Sequence, residues 1–161
     1  MMGLVDLLIL GDPRLYEKCE PVRKDELDMI SSWIEDLHNV MQEIRDKYSF
    51  GRGIAAPQLG IMKRLVYINI DQPLIIINPT FTFQSDDKFE LWDDCMSFPH
   101  LLVKVARHSK VSITYRDENW NECNLDASGG LSELLQHEID HLNGILCIDR
   151  AITKRSFKWR P

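Results

Sequence analysis

The sequence predicts an α+β fold, with small antiparallel sheets packed around a helix in the C-terminal half and an amphipathic helix near the N-terminus. Three observations predict it. Apolar residues recur at three- and four-residue steps over 25–48. Short runs rich in β-branched and aromatic residues, separated by turn formers, cluster between 65 and 125. A second helical segment opens after Ser128-Gly129-Gly130 and stops at Asn143-Gly144, a good helix terminator. Strands gathered between two helices, instead of alternating with helices, argue against a doubly wound parallel sheet.

Each element has its own justification. Gly11-Asp12-Pro13 is a turn. In the first helix, Leu27, Ile30, Ile34, Leu37, Val40, Met41, Ile44 and Tyr48 form the apolar stripe, and Asp25 and Glu26 suit its positive end. His38 on this helix reads as a satisfied histidine, and Met29 and Met41 as core filler. Gly51 to Gly60 is a glycine-rich loop. Strands are expected at 65–70, 74–78, 81–84 and 110–115. A hairpin turn at Asp117-Glu118-Asn119 leads to a return strand at 122–125. Ser85-Asp86-Asp87-Lys88 is a polar loop, and 145–149 reads as a short buried strand.

The 161 residues fit one domain, 1–161, with room for a proper core. Hydrophobic residues make up 44% and charged residues 27%, which excludes extensive disorder. A net charge of -6 argues against a general nucleic-acid binder. No apolar run approaches a membrane span, and Met1 to Asp6 lacks the features of an export signal, so the expected compartment is the cytoplasm. Cys19, Cys95, Cys123 and Cys147 show no C-x-x-C spacing and are expected as free thiols.

His137-Glu138-Ile139-Asp140-His141 is the chemically richest run. H-E-x-x-H on a helix puts two imidazoles on one face, where they can bind one metal ion, with Glu138 beside the first ligand as a general base. The bland alternative is a helix that carries two histidines by accident. A catalytic metal needs a third protein ligand. No histidine or glutamate follows His141; Cys147 stands where some zinc proteases carry the third histidine, but Leu146-Cys147-Ile148 reads as core packing. Upstream, Cys95 lies in Trp92-Asp93-Asp94-Cys95-Met96-Ser97, and further upstream is Gly51-Arg52-Gly53-Ile54-Ala55-Ala56-Pro57-Gln58.

Together these three runs resemble the peptide deformylase family, which carries G-x-G-x-A-A-x-Q, E-G-C-x-S and Q-H-E-x-D-H in this order and at comparable spacings. Ile9 to Leu15 and the strand after Arg107 are also similar, so the resemblance covers nearly the whole chain. It implies a metal-dependent hydrolase that removes the N-formyl group from the N-terminal methionine of new polypeptides and releases formate. It also implies Cys95, His137 and His141 as metal ligands and Glu138 as the acid–base residue. Gln58 and the backbone N–H of Met96 become the oxyanion donors, and Gly51 and Gly53 let the loop approach the substrate. The family's preferred ion is ferrous iron (Fe2+), and Zn2+, Ni2+ or Co2+ can occupy the site; thiolate and imidazole donors suit all of these. Asp140 reads equally as support for the ligands or as a helix-surface carboxylate.

The chain departs from the family's pattern at the entrance to the site. Asp93-Asp94 replaces Glu-Gly before the ligand cysteine, Arg52 stands between the two glycines where the family is often aliphatic, and Glu133 lies one turn before His137 at a variable position that can line the methionine pocket. Arg52, Asp94 and Glu133 either make the entrance polar and shift selectivity, or all three point to solvent. N-formylated nascent peptides are the expected partners, with no membrane and no specific nucleic acid. Some bacterial members dock on the ribosome through a C-terminal helix. Lys154, Arg155, Lys158 and Arg160 make this tail basic, but it is too short for such a helix and reads as a solvated end. Two alternatives stand beside the hydrolase: a deformylase-like peptide-binding module with altered preference or lost turnover, and a zinc protease using Cys147. Formate release tests the first, and metal content of Cys95→Ala and Cys147→Ala tests the second.

Overall fold

The computed structural model describes residues 1–161. The first helix, α1 (Leu27–Tyr48), buries Ile30, Leu37, Val40, Met41 and Ile44 along one face. A short 3-10 turn, Lys24–Glu26, leads into it. Arg45 and Lys47 in its last turn complement the negative helix end, and Ser49 closes it in the left-handed region at φ 60°. Met41 is core, as expected, whereas Met29 is half exposed on the outer face. His38 is satisfied, its Nδ1 lying 2.7 Å from the Tyr67 hydroxyl.

The glycine-rich segment is more ordered than a loop. It contains β1 (Gly53–Ala55) and a 3-10 turn, Ala56–Leu59. β2 (Leu65–Asn69) follows, then β3 (Pro73–Gln84), one long strand where two short ones are expected. Its irregularity is local: Asn78 takes φ 52° and the pairing register shifts between Ile77 and Thr80. The Asn78 side chain secures the kink by accepting from Val22 N–H and donating to Val22 C=O, at 2.8 and 2.9 Å. β4 (Lys88–Asp93) and β5 (Leu101–His108) form an antiparallel pair not anticipated from the sequence. β6 (Lys110–Arg116) and β7 (Glu122–Ser128) form the expected hairpin around Asp117. The second helix is α2 (Gly129–Leu142).

Two antiparallel sheets result, in strand orders β1-β2-β3-β6-β7 and β4-β5-β8. The last strand, β8 (Phe157–Trp159), pairs with Leu101 to Val103 of β5, so the tail read as a solvated end is a sheet edge. The predicted strand at 145–149 is instead a 3-10 turn, Cys147–Arg150. Its cause is local: the Asp149 carboxylate accepts from Leu146 N–H and Asp149 N–H returns to Leu146 C=O, both at 2.9 Å.

α2 is the centre of the molecule. Every residue from Ser132 to Leu142 is buried, which marks a helix enclosed by other elements rather than laid on a surface. Leu134, Leu135, Ile139 and Leu142 pack with Val66, Ile68, Ile76, Val111 and Ile113 of the larger sheet. Leu146, Cys147, Val103 and Val105 form a separate cluster against the smaller sheet with Cys95. Gln136 anchors α2 to β5 in both directions, accepting from His108 N–H at 2.9 Å and donating to His108 C=O at 3.0 Å. Past the helix end, Gly144 takes φ 72°, and a Cβ there would stand 2.4 Å from the Tyr16 carbonyl oxygen, so glycine is required on two counts.

Candidate active site

Three elements converge on one end of α2. The helix supplies His137, Glu138 and His141. The segment after β4 supplies Cys95 and Met96. The turn after β1 supplies Gln58. The N-terminal segment holds the last two together, because Leu8 N–H donates to Gln58 C=O at 2.8 Å and Leu10 N–H to Ser97 C=O at 2.9 Å.

Cys95, His137 and His141 are all buried and their donor atoms lie together. The two Nε2 atoms are 3.2 Å apart, and His141 Nε2 is 3.5 Å from Cys95 Sγ. Metal–ligand bonds of about 2.1 Å to nitrogen and 2.3 Å to sulfur place tetrahedral ligands roughly 3.4–3.6 Å apart, so the trio has the spacing of three corners of such a site. His137 Nδ1 lies 2.8 Å from Asp93 Oδ2, so Asp93 orients the ring and leaves Nε2 facing His141. Burial opposes a charge there, but Asp93 outweighs it and holds the His137 imidazole well above the ordinary histidine range, so a cation bound at Nε2 would take the place of a proton. Burial, reinforced by the facing His137, holds His141 well below that range, which keeps a lone pair available. The residues therefore fit a divalent transition-metal ion.

Asp93 and Arg107 belong to the buried network behind the histidines, a connection the sequence reading passed over. Burial pushes the Asp93 carboxyl up, but the His137 imidazole and the Arg107 guanidinium outweigh it and hold Asp93 below the ordinary carboxylate value. Arg107 reaches Asp93 at 3.3 Å and Asp140 at 2.7 Å, and Arg150 adds two bonds of 2.9 Å to Asp140. Asp140 is thus a buried tie between two arginines and not a helix-surface carboxylate. A signal for Arg107 was present: it follows Val103 and Val105 at period two, on the face of β5 that points inward.

Cys147 lies near Asp93 and His137. Burial pushes its thiol well above the ordinary cysteine value, which opposes the thiolate form needed for metal binding. The thiol within contact distance of the histidine pair is Cys95, and Cys147 serves as core.

Glu138 is buried, with one carboxylate oxygen 3.7 Å from His137 Nε2 and the other without a protein partner. Burial pushes its carboxyl up to about 7. Gln58 is oriented by Ala55 N–H, which donates to Oε1 at 2.9 Å; its Nε2 faces Ser97 Oγ at 3.1 Å and Cys95 Sγ at 3.7 Å. The Met96 N–H has no acceptor within the protein. These groups border a cavity of about 170 Å³, whose walls include Gly51, Arg52, Gly53, Asp94 and Leu134. Gly51 takes φ 128°, and a Cβ there would come within 2.8 Å of the Met96 side chain. Gly53 lies against α2, with Glu138 and Leu134 atoms 3.3 Å from where its Cβ would be.

The three departures from the family's pattern are not free solvent-facing charges. Arg52 Nη2 meets Glu133 Oε1 at 2.5 Å, across 81 residues of sequence. Glu133 is buried, and its other oxygen has no partner. Burial pushes the Glu133 carboxyl up, and Arg52 offsets this only in part. Asp94 is paired at 2.6 Å with Arg160 from the tail.

The family model for polypeptide deformylase matches residues 4–157. A peptide deformylase of Brachyspira hyodysenteriae is 38% identical, over 96% of this chain and 86% of its own length. One from Treponema pallidum is 36% identical, over 94% and 90%. Among solved structures, a peptide deformylase from Synechococcus elongatus in complex with actinonin superposes with a TM-score of 0.85 at 34% identity, covering 92% of this chain and 79% of that one. The Thermotoga maritima peptide deformylase gives a TM-score of 0.83 at 29% identity, covering 91% and 97%.

Proposed function

The chain belongs to the polypeptide deformylase family, and from that premise we propose which of its residues carry the reaction. The activity is hydrolytic: the N-formyl group is removed from the N-terminal methionine of newly made polypeptides and formate is released. We assign Cys95, His137 and His141 as the ligands of one divalent ion, ferrous iron by family preference. The observation that carries this is the meeting of one sulfur and two imidazole nitrogens beside the buried Glu138 carboxyl. When bound, such an ion lowers the pKa of water and polarises a carbonyl.

The remaining steps belong to side chains and backbone. The formyl oxygen accepts from Gln58 Nε2 and from Met96 N–H, both of which border the cavity and strengthen their bonds as negative charge develops. Glu138 takes the proton of the attacking water and returns it to the leaving amine. A carboxyl raised to about 7 is matched to both tasks near neutral pH. Asp93 orients the His137 ring, and Arg107 keeps Asp93 charged. Gly51 and Gly53 keep one wall of the cavity low, leaving room for the peptide backbone.

The substrates are N-formylated nascent peptides, and we infer the cytoplasm as the compartment in which they are met. No helix is long and apolar enough to cross a membrane. Phe157 to Trp159 of the basic tail form a strand edge. The lost-turnover alternative is not favoured: Gln58, Cys95, Met96, His137 and Glu138 all line the cavity, and His141 Nε2 lies 3.5 Å from Cys95 Sγ. The test is formate release from formyl-Met peptides by protein loaded with iron under anaerobic conditions. Turnover is expected, and its absence in metal-replete protein would defeat the assignment.

A further inference from the structure

We propose that Arg160 is a positioning residue for the substrate cleft: it draws the Asp94 carboxylate out of the peptide's path and ties together the two segments that flank the cavity. The inference rests on the deformylase reading and extends it to a residue far from the metal ligands.

The argument starts from Asp94. It adjoins the ligand Cys95 and borders the cavity, where an unpaired carboxylate would repel the carbonyl oxygens of a passing peptide and cost desolvation when the peptide covers it. Arg160 Nη2 lies 2.6 Å from Asp94 Oδ2, and Arg160 Nε donates to Pro99 C=O at 3.0 Å. The guanidinium also lies over the Phe50 ring, 4.1 Å from its centroid. Phe50 precedes Gly51, and both line the same cavity. One side chain therefore engages two of the segments that line the cavity, through a charge-assisted bond to Asp94 and a cation–π contact with Phe50.

The tail is built to hold it there. β8 pairs with β5, Arg160 N–H donates to His100 C=O at 2.7 Å, and Trp159 stacks on the His100 ring at a 5.6 Å centroid distance. These contacts are backbone bonds and a ring stack that do not involve the guanidinium, so a point substitution at Arg160 leaves the strand docked. A lysine cannot replace it, because one ammonium cannot bond Asp94 and Pro99 while lying flat on Phe50.

The test is a four-protein cycle: parent, Arg160→Met, Asp94→Gly and the double variant. All are iron-loaded to equal metal content and assayed with formyl-Met-Ala-Ser. In the parent background, Arg160→Met is expected to raise KM about tenfold with kcat within about twofold, the signature of lost ground-state positioning. In the Asp94→Gly background, the same substitution is expected to change KM less than about threefold, because the carboxylate it restrains is gone. An unchanged KM in Arg160→Met, or an equal rise in both backgrounds, overturns the proposal. If Arg160→Met lacks a cooperative melting transition, Arg160→Gln, which also removes the charge, takes its place in the cycle with the same expected and overturning results. Turnover by the parent without coupling between the two positions overturns this inference alone; no turnover by metal-replete parent overturns the functional reading beneath it.

Discussion

The floor and the rim of the cavity solve the problem of buried charge differently. On the floor, Arg107 grips Asp93 and Asp140, Asp93 orients the His137 ring, and His137 and His141 bring their Nε2 atoms to within 3.2 Å of each other. On the rim, charges are paired simply to be neutralised: Arg52 with Glu133 and Asp94 with Arg160. The floor's electrostatics orient the groups proposed to hold the metal, whereas the rim's make extra charge harmless. The floor should therefore respond to substitution through chemistry and metal content, and the rim through binding and stability.

The largest expected effects lie on the floor. Cys95→Ala is expected to abolish stoichiometric metal binding while Cys147→Ala retains it, as read by metal analysis after desalting; the reverse result would move the ligand set. Glu138→Gln should lower kcat by about 10²–10⁴-fold with metal content unchanged, the usual contribution of a positioned acid–base residue. Gln58→Ala should lower kcat by about 10²–10³-fold, the range for loss of one oxyanion donor. A KM-only effect at Gln58 would transfer it from the floor to the rim.

Rim effects are smaller and asymmetric. Arg52→Met leaves the Glu133 carboxylate buried without its partner and is expected to destabilise the fold by about 1–3 kcal/mol. The figure sits below that for a fully buried pair because Arg52 is 42% exposed. Glu133→Gln leaves a guanidinium that can turn to water, so its cost in urea denaturation should be the lower of the two. Equal costs would mean that the pair is not the unit that matters.

The smallest effect is a pH dependence. Burial raises Glu133 in the folded chain above its ordinary value of 4.5. Its contribution is therefore fully present below that value and is lost as pH rises through the raised one. Relative to the parent, Glu133→Gln should gain stability as pH rises above 4.5, as measured by melting temperature in matched buffers. A parent and variant that run parallel across that window would show that Arg52 fully compensates the carboxylate.

What could be read without coordinates follows the same division. The α1 stripe, the hairpin around Asp117 and α2 were legible because each is governed by local periodicity or turn chemistry. β4 and β5 carried a signal that the sequence reading passed over, the period-two alternation of Phe89 and Leu91 in one and of Val103, Val105 and Arg107 in the other. The turn at Cys147–Arg150 was misread as a strand because Leu146, Cys147 and Ile148 look like a buried strand, while the Asp149 carboxylate that turns the chain acts through a single hydrogen bond.

The sequence by itself determined which groups are proposed to react. Two histidines four residues apart on a helix share a face whatever surrounds them, and a glutamate between them stays beside the first. The motif runs around Gln58 and Cys95 then pointed to their partners. Only the tertiary structure decided the pairings across long separations: Arg107 with Asp93 and Asp140, Arg52 with Glu133, Asp94 with Arg160. The physical reason is that a charge leaves no periodic trace of its partner. Burial makes a partner necessary, but which one is met depends on how sheets and helix pack, and that is written in no local stretch of the chain.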